Sequence, residues 1–169
     1  MSPAREKSDF ILAPSMLCAD FQNLADDIEL LEASGADWLH FDVMDGQFVE
    51  NLTYGPIIVK AARPLTRLFF DVHLMIETPL RQVPKFVDAG ADLICLHVET
   101  VEDVAEAVHA VRELGVKAGV ALNPDTPVEA VAPALEECDQ VMLMSVFPGR
   151  AGQKFIEDTY GRLEQLAAL

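Results

Sequence analysis

The sequence predicts an α/β fold in which helices cover a parallel β-sheet, and three observations support this. Short apolar runs alternate with longer amphipathic segments along the chain, as repeated βα units require. The apolar runs are hydrophobic at most positions, which is typical of parallel strands buried on both faces. The helix-to-strand passages SGADWLHF and AGADLICLH nearly repeat one another. We therefore expect one domain made of a repeated unit.

Six apolar runs are the predicted strands: FILAPSM, WLHFDVM, LFFDVHLM, LICLHVE, KAGVALN and QVMLMSV. Helices are predicted between and after them, at 20–33, 55–62, 79–88, 101–114, 127–137 and 154–169. Gly35, Gly90 and Gly115 stand where a helix ends and a left-handed residue is favoured. The predicted strand tips recur every 22 to 31 residues, which is the spacing of βα units.

This period favours a TIM-type (β/α) barrel over an open doubly wound sheet, because no dinucleotide-binding glycine fingerprint follows the first run. A complete barrel has eight units, and about six are present here. We therefore expect an incomplete TIM-type barrel over residues 11–169, preceded by a polar tail over residues 1–10. The open hydrophobic strand edges predict a homo-oligomer, with a repacked monomeric sheet as the alternative.

Composition narrows the classes of partner. The 169 residues are 51% hydrophobic and 24% charged, as in a folded domain. The formal net charge of -16 argues against nucleic acid and against binding to anionic membranes. The polar N-terminus has no apolar leader, and no uncharged apolar run is long enough to span a bilayer, so a cytoplasmic protein is expected.

Polar groups within two adjacent predicted strands mark the candidate site. Strand side chains alternate between faces, so His40 and Asp42 share one face of WLHFDVM, while Asp71 and His73 share one face of FFDVHLM. Such groups must be paired or bound to metal when buried. His40, His73 and Asp42 together offer two imidazoles and a carboxylate, which are ligands that borderline divalent metals such as zinc prefer. The alternative is a set of polar core residues that satisfy one another. Asp71 is a candidate to orient an imidazole.

Several segments together resemble the ribulose-phosphate 3-epimerase family. They are ILAPSMLCADF, HFDVMDGQFVENLTYG, DVHLM, HVE, LNPDTP and MSVFPGRAGQKF, in this order. The motif DVMDGQFV followed by DVHLMI is a specific pair, and the resemblance covers the chain from Ile11 onward. It implies a TIM barrel of the pentose phosphate pathway that interconverts ribulose 5-phosphate and xylulose 5-phosphate by proton transfer at carbon 3 through an enediolate.

The resemblance also implies residue roles. His40, Asp42 and His73 would bind a divalent metal ion, with zinc as the first choice and iron, manganese or cobalt as alternatives. Asp42 would be one of two acid/base carboxylates, since inversion needs proton transfer on both faces of a planar intermediate. The implied substrate-binding residues are Ser15, Met44, His73, Met75, Met144, Gly149 and Gly152. Taken alone, the serine could end a strand, the methionines could fill a core and the glycines could form a turn.

The sequence departs from the family in two places. The family usually reads NPGFGGQ where this chain has Phe147, Arg150 and Ala151 within FPGRAGQ. The family's second catalytic aspartate, also its fourth metal ligand, lies in a later DGG segment that these 169 residues do not reach. We therefore expect weak or no epimerisation from this polypeptide.

Two other functions stay open. One is a catalytically silent metal- or phosphate-binding protein, and the other is an epimerase of a related ketose phosphate. A decarboxylase of related fold would carry a DxKxxD array, and Met44 stands where its lysine belongs. His97 is expected either at the site or in the core, and His109 on a helix surface.

Overall fold

Five parallel strands form one sheet in the computed structural model, which describes residues 10–169. The strands pair in chain order: β1 (Trp38–Met44), β2 (Phe69–Met75), β3 (Leu93–His97), β4 (Lys117–Leu122) and β5 (Gln140–Leu143). This order and direction confirm the predicted α/β fold of repeated βα units. Apart from Phe10, the predicted polar tail lies outside the described residues.

The first predicted strand lies beside β1 without forming a sixth strand of the sheet. The amides of Asp37 and Trp38 donate to the Leu12 carbonyl, and the His40 amide donates to the Pro14 carbonyl at 3.0 Å. A single parallel bridge joins Ser15 to His40. Proline has no N–H to return a hydrogen bond, which interrupts the ladder at Pro14. The expectation of a full strand here was therefore wrong, although the segment is in the expected place.

In the part of the chain that the structure describes, five α-helices connect or flank the strands: α1 (Leu24–Ala33), α2 (Pro56–Ala62), α3 (Val83–Asp88), α4 (Val104–Arg112) and α5 (Thr159–Ala167). Short 3₁₀ helices cover Met16–Cys18, Arg63–Leu65, Pro79–Arg81, Val98–Thr100 and Val128–Ala134. The predicted helix at 127–137 is thus a 3₁₀ segment, and Pro133 within it cannot supply an α-helical N–H bond. The helix predicted from residue 154 begins only at Thr159.

The two faces of the sheet differ in chemistry. Phe41, Phe70 and Ile94 lie on the face that packs against the helices, within the main hydrophobic core. Alternation puts His40, Asp42 and His73 on the opposite face. The sheet therefore hides its apolar face under helices and turns its polar face toward the side that would be the barrel interior. None of the helices within residues 10–169 combines the length and the hydropathy of a membrane span.

Candidate active site

The register of β1 and β2 brings the predicted polar residues together. His40 lies opposite Asp71, and Asp42 lies opposite His73. All four side chains share the face away from the helices, because residues at even spacing along a strand point the same way. The sequence pattern predicted the shared faces, and the register adds which residue stands beside which.

Asp42 is the centre of a three-residue cluster with two histidines. Its Oδ1 atom lies 3.2 Å from His40 Nε2 and 3.0 Å from His73 Nδ1. Potential ligand atoms of the three residues all lie within 4.8 Å of one another. Two imidazole nitrogens and one carboxylate oxygen form a donor set that suits zinc and similar divalent cations. These residues therefore fit a metal ion and leave coordination positions for other ligands.

His40 is oriented by a buried carboxylate from the neighbouring strand. Its Nδ1 atom lies 2.8 Å from Asp71 Oδ2, which directs Nε2 toward Asp42. Burial lowers the pKa of His40, but hydrogen bonds to Asp42 and Asp71 outweigh this and raise it to about 10. A cation bound here must displace that proton, because a ligating imidazole is neutral. Asp71 takes the orienting position expected for it.

His73 is fully enclosed and contacts a third histidine. Its Nε2 atom lies 2.8 Å from Nε2 of His97, which is also buried. Burial lowers the pKa of His73 to about 4 and outweighs the hydrogen bond to Asp42, which raises it, so this imidazole is neutral near pH 7. Of the two positions expected for His97, the structure shows the one beside the cluster.

Sequence reasoning missed Glu99, which lies behind His97. Its Oε2 atom is 3.0 Å from His97 Nδ1. Burial raises the pKa of Glu99, but hydrogen bonds from His97 and Thr126 outweigh this and lower it to about 2. The sequence predicts that HVE continues the strand LICLHVE. The strand ends at His97, and the 3₁₀ turn Val98–Thr100 brings Glu99 back to its histidine.

Ser15 contacts the cluster at Asp42. Its hydroxyl donates a short hydrogen bond to Asp42 Oδ2 and accepts one from the Leu17 amide at 3.1 Å. It therefore both caps the first 3₁₀ helix and contacts the central carboxylate. Burial raises the pKa of Asp42, but hydrogen bonds from His40 and His73 outweigh this and hold it well below its usual range. The carboxylate is ionised at neutral pH.

The methionines and glycines that the resemblance implies for substrate binding lie in two regions, one at the ends of β1 and β2 and the other after β5. Met44 and Met75 are register partners, buried together with Val49 at the ends of β1 and β2. Met144 follows β5, at the other end of the strand order. Gly149 and Gly152 have φ of 117° and 73°, which side chains rarely adopt.

The segment at 148–153 packs against the loop that follows β1. A Cβ added to Gly149 would lie 3.3 Å from Val49 Cβ, and the side-chain Nδ2 of Asn51 donates to the Gly149 carbonyl. The two segments border one cleft, together with Phe48 and Asn123. The helix predicted at 154–169 begins only at Thr159, six residues after Gln153, so no helix N-terminus directly follows this glycine segment. Phosphate contacts there would have to come from the loop itself.

Asp45 holds the loop after β1 in place. Its Oδ1 atom accepts from the amides of Gln47 and Phe48, and Oδ2 accepts from the Glu77 amide at 2.8 Å. The Phe48 ring centroid then lies 4.8 Å from that of His97, which covers the histidine. Burial raises the pKa of Asp45, but these backbone hydrogen bonds outweigh it and lower the pKa.

We expect Asp45→Asn to destabilise the fold by about 1–2 kcal/mol at neutral pH, since charge-assisted hydrogen bonds are lost. The folded-state pKa of Asp45 lies below its unfolded value, so its contribution is complete above the usual aspartate pKa of about 3.9 and is lost as the pH falls through the folded value. Urea unfolding at about pH 7 and about pH 3 tests this. The difference in free energy of unfolding between Asp45→Asn and the original protein should be smaller at the acidic pH. Asp125→Asn, at an exposed carboxylate, should unfold with nearly the same free energy as the original protein at either pH. A gap that widens in acid would contradict the assignment.

Comparison with known sequences finds close relatives. A sequence model described as "Ribulose-phosphate 3 epimerase family" matches residues 11–169. Ribulose-phosphate 3-epimerase of Bacillus subtilis (strain 168) is 48% identical over 155 residues, which are 92% of this chain and 71% of the relative. Ribulose-5-phosphate-3-epimerase, chloroplastic, of Arabidopsis thaliana is 46% identical over 162 residues, which are 95% of this chain and 58% of the relative. The chain thus spans between 58% and 71% of the length of these two proteins.

Solved structures with little sequence similarity share the fold. An N-succinyl Arg/Lys racemase from Bacillus cereus ATCC 14579 superposes with a TM-score of 0.60 at 14% identity, over 81% of this chain and 38% of that one. The spore cortex-lytic enzyme SleL of Bacillus megaterium QM B1551 superposes with a TM-score of 0.61 at 14% identity, over 99% of this chain and 49% of that one. At this identity the likeness concerns the fold alone.

Proposed function

The chain belongs to the ribulose-phosphate 3-epimerase family, and we propose that it binds a divalent cation through His40, Asp42 and His73 to act on ribulose 5-phosphate. The chemistry is proton transfer at carbon 3, which interconverts ribulose 5-phosphate and xylulose 5-phosphate. A bound divalent cation would supply electrostatic stabilisation of the enediolate. The convergence of both imidazoles on one oxygen of Asp42 carries the proposal.

In this proposal each residue of the site has a separate task. Asp42, ionised at neutral pH, takes the proton from carbon 3 on one face of the sugar. Ser15 donates to the other oxygen of Asp42 and thereby fixes the plane of the carboxylate. Met44 and Met75 provide an apolar surface at the ends of their strands. Gly149 and Gly152 allow the loop backbone to approach the phosphate.

His73→Ala tests the metal site. We expect the variant to lose most of its zinc, because one of three protein ligands is removed. Zinc content is measured by elemental analysis after dialysis against a limiting zinc concentration. His109→Ala is the matched control, since His109 lies exposed on α4. Equal zinc content in the His73 variant and the control would contradict the ligand assignment.

We also propose that the polypeptide forms a homo-oligomer, most simply a twofold dimer. Within residues 10–169, β5 pairs with β4 along one edge only, and nearby Phe147, Phe155 and Leu163 are exposed. An unpaired parallel edge with apolar surroundings favours association between copies. Light scattering over a wide concentration range should give a mass above that of the 18.5 kDa monomer. A monomer mass throughout would favour the repacked sheet instead. Cytoplasmic localisation stays a prediction from the sequence.

A further inference from the structure

Glu99 and His97 lie behind the ligand cluster in a chain of hydrogen bonds that ends at His73. We propose that these two are positioning residues: Glu99 holds a proton on His97 Nδ1, and His97 thereby makes His73 offer its Nδ1 lone pair to a cation. The inference rests on the metal site of the proposed function and adds residues outside its three ligands. It follows from which ring nitrogen meets which partner.

The two ring nitrogens of His73 face different partners. Nδ1 lies toward the cluster, 3.0 Å from Asp42 Oδ1, and Nε2 lies 2.8 Å from His97 Nε2. A nitrogen that ligates a cation carries no proton, so the neutral ring must carry its proton on the other nitrogen. When Nδ1 is the ligand, Nε2 is therefore a donor. Because His73 is buried, that donor needs an acceptor within the protein.

His97 is that acceptor only in one tautomer. Its Nε2 atom accepts from His73 when the ring proton is on Nδ1, which lies 3.0 Å from Glu99 Oε2. An ionised carboxylate can accept but cannot donate, so it selects the Nδ1–H form of His97. The planes of the His73 and His97 rings differ by 25°. When a cation on His73 Nδ1 replaces the proton that His73 donates to Asp42 in the metal-free protein, the N–H groups of both rings point away from the cluster, toward Glu99.

Glu99 is itself fixed from the other side. Its Oε1 atom accepts from the Asn123 amide at 2.7 Å and from the Thr126 hydroxyl. The carbonyls of Asn123 and Thr126 accept in turn from Arg162 Nη2, at 2.9 and 2.7 Å. Arg162 is buried on α5. One carboxylate oxygen is thus fully engaged with this turn, which leaves Oε2 for His97.

The other ligand histidine is oriented directly. Asp71 contacts Nδ1 of His40 and leaves Nε2 facing Asp42. Each ligand histidine therefore has a carboxylate that selects its tautomer, and for His73 the selection passes through a second imidazole. Such orienting partners typically contribute about 10- to 100-fold to metal affinity.

Glu99→Gln separates this role from simple packing, because it preserves size while changing one acceptor into a donor. The backbone amide of Asn123 can only donate, so the glutamine oxygen should keep that contact and turn its NH₂ group toward His97 Nδ1. His97 would then carry its proton on Nε2 and donate to His73. His73 would be left with its proton on Nδ1, which blocks the ligating nitrogen.

The experiment records histidine side-chain ¹⁵N spectra of the metal-free and zinc-saturated protein, together with zinc affinity by calorimetry. We expect His97 protonated on Nδ1 in both forms and His73 protonated on Nε2 in the zinc form. Glu99→Gln should shift the His97 proton to Nε2 and weaken zinc binding about 10- to 100-fold. Glu102→Gln, at an exposed glutamate three residues along, should change neither.

Unchanged zinc affinity in Glu99→Gln, or a His97 proton that stays on Nδ1 in that variant, would overturn the inference. If the variant does not fold, the spectrum of the original protein decides, since a bare Nδ1 on His97 also overturns it. Failure of the original protein to bind zinc would instead contradict the proposed function. The metal-free spectrum would still report whether Glu99 holds the proton on His97.

Discussion

Asp42→Asn is expected to slow exchange of the carbon-3 proton of ribulose 5-phosphate with solvent by about 10²- to 10⁴-fold, the usual cost of losing a general base. Asparagine keeps the shape of the side chain but cannot take up a proton. The assay follows deuterium entry at carbon 3 by proton NMR in D₂O with saturating zinc, so that reduced metal affinity does not limit the rate.

Asp88→Asn provides the control for this assay, because Asp88 is exposed at the end of α3. Zinc bound by each variant is measured in parallel, which separates loss of the base from loss of the metal. Exchange at an unchanged rate in zinc-loaded Asp42→Asn would show that another group removes the proton.

Inversion should be much slower than exchange in a polypeptide of these 169 residues. Epimerisation needs a proton removed from one face of carbon 3 and delivered to the other, and the described cluster contains one carboxylate, Asp42. We expect formation of xylulose 5-phosphate to lag ordinary enzyme turnover by about 10²- to 10⁴-fold. Deuterium entry at carbon 3 and formation of xylulose 5-phosphate are followed in the same NMR samples.

The ratio of these two rates distinguishes the candidate functions. Exchange without inversion supports an epimerase site that works from one face. Zinc binding with neither reaction would favour a catalytically silent metal-binding protein. Turnover on the order of 10 per second would contradict the expectation and would mean that a second carboxylate acts in this polypeptide.

The cluster could be predicted from the sequence because strand alternation is strict. His40 and Asp42 fall on one face of their strand, and Asp71 and His73 on one face of theirs, whatever the exact ends of the strands. The partner of each histidine depends on strand register, which alternation does not specify. The sequence predicts only that Asp71 orients an imidazole, and the register of β1 and β2 places it beside His40.

Glu99 could not be assigned from the same pattern. The run LICLHVE is apolar enough to be one strand, and in a strand Glu99 would share the direction of His97 without reaching its ring nitrogen. The change to a 3₁₀ turn after His97 decides its position. Similarly, Pro14 and Pro133 changed a predicted strand and a predicted helix, because each removes a backbone donor that the regular element needs.

The hydrogen bonds from Arg162 to the Asn123–Thr126 turn also affect the order in which the site can mature during synthesis. Arg162 lies 39 residues after Asn123 in the chain. On a ribosome, which adds residues in order, β1 and β2 can pair long before α5 emerges, whereas the turn that supports Glu99 gains this anchor only after α5 has been made. His40 would be held by Asp71 early, and His73 would be aligned last. A nascent chain would therefore acquire its full capacity to capture a cation late, after most of the sheet has formed.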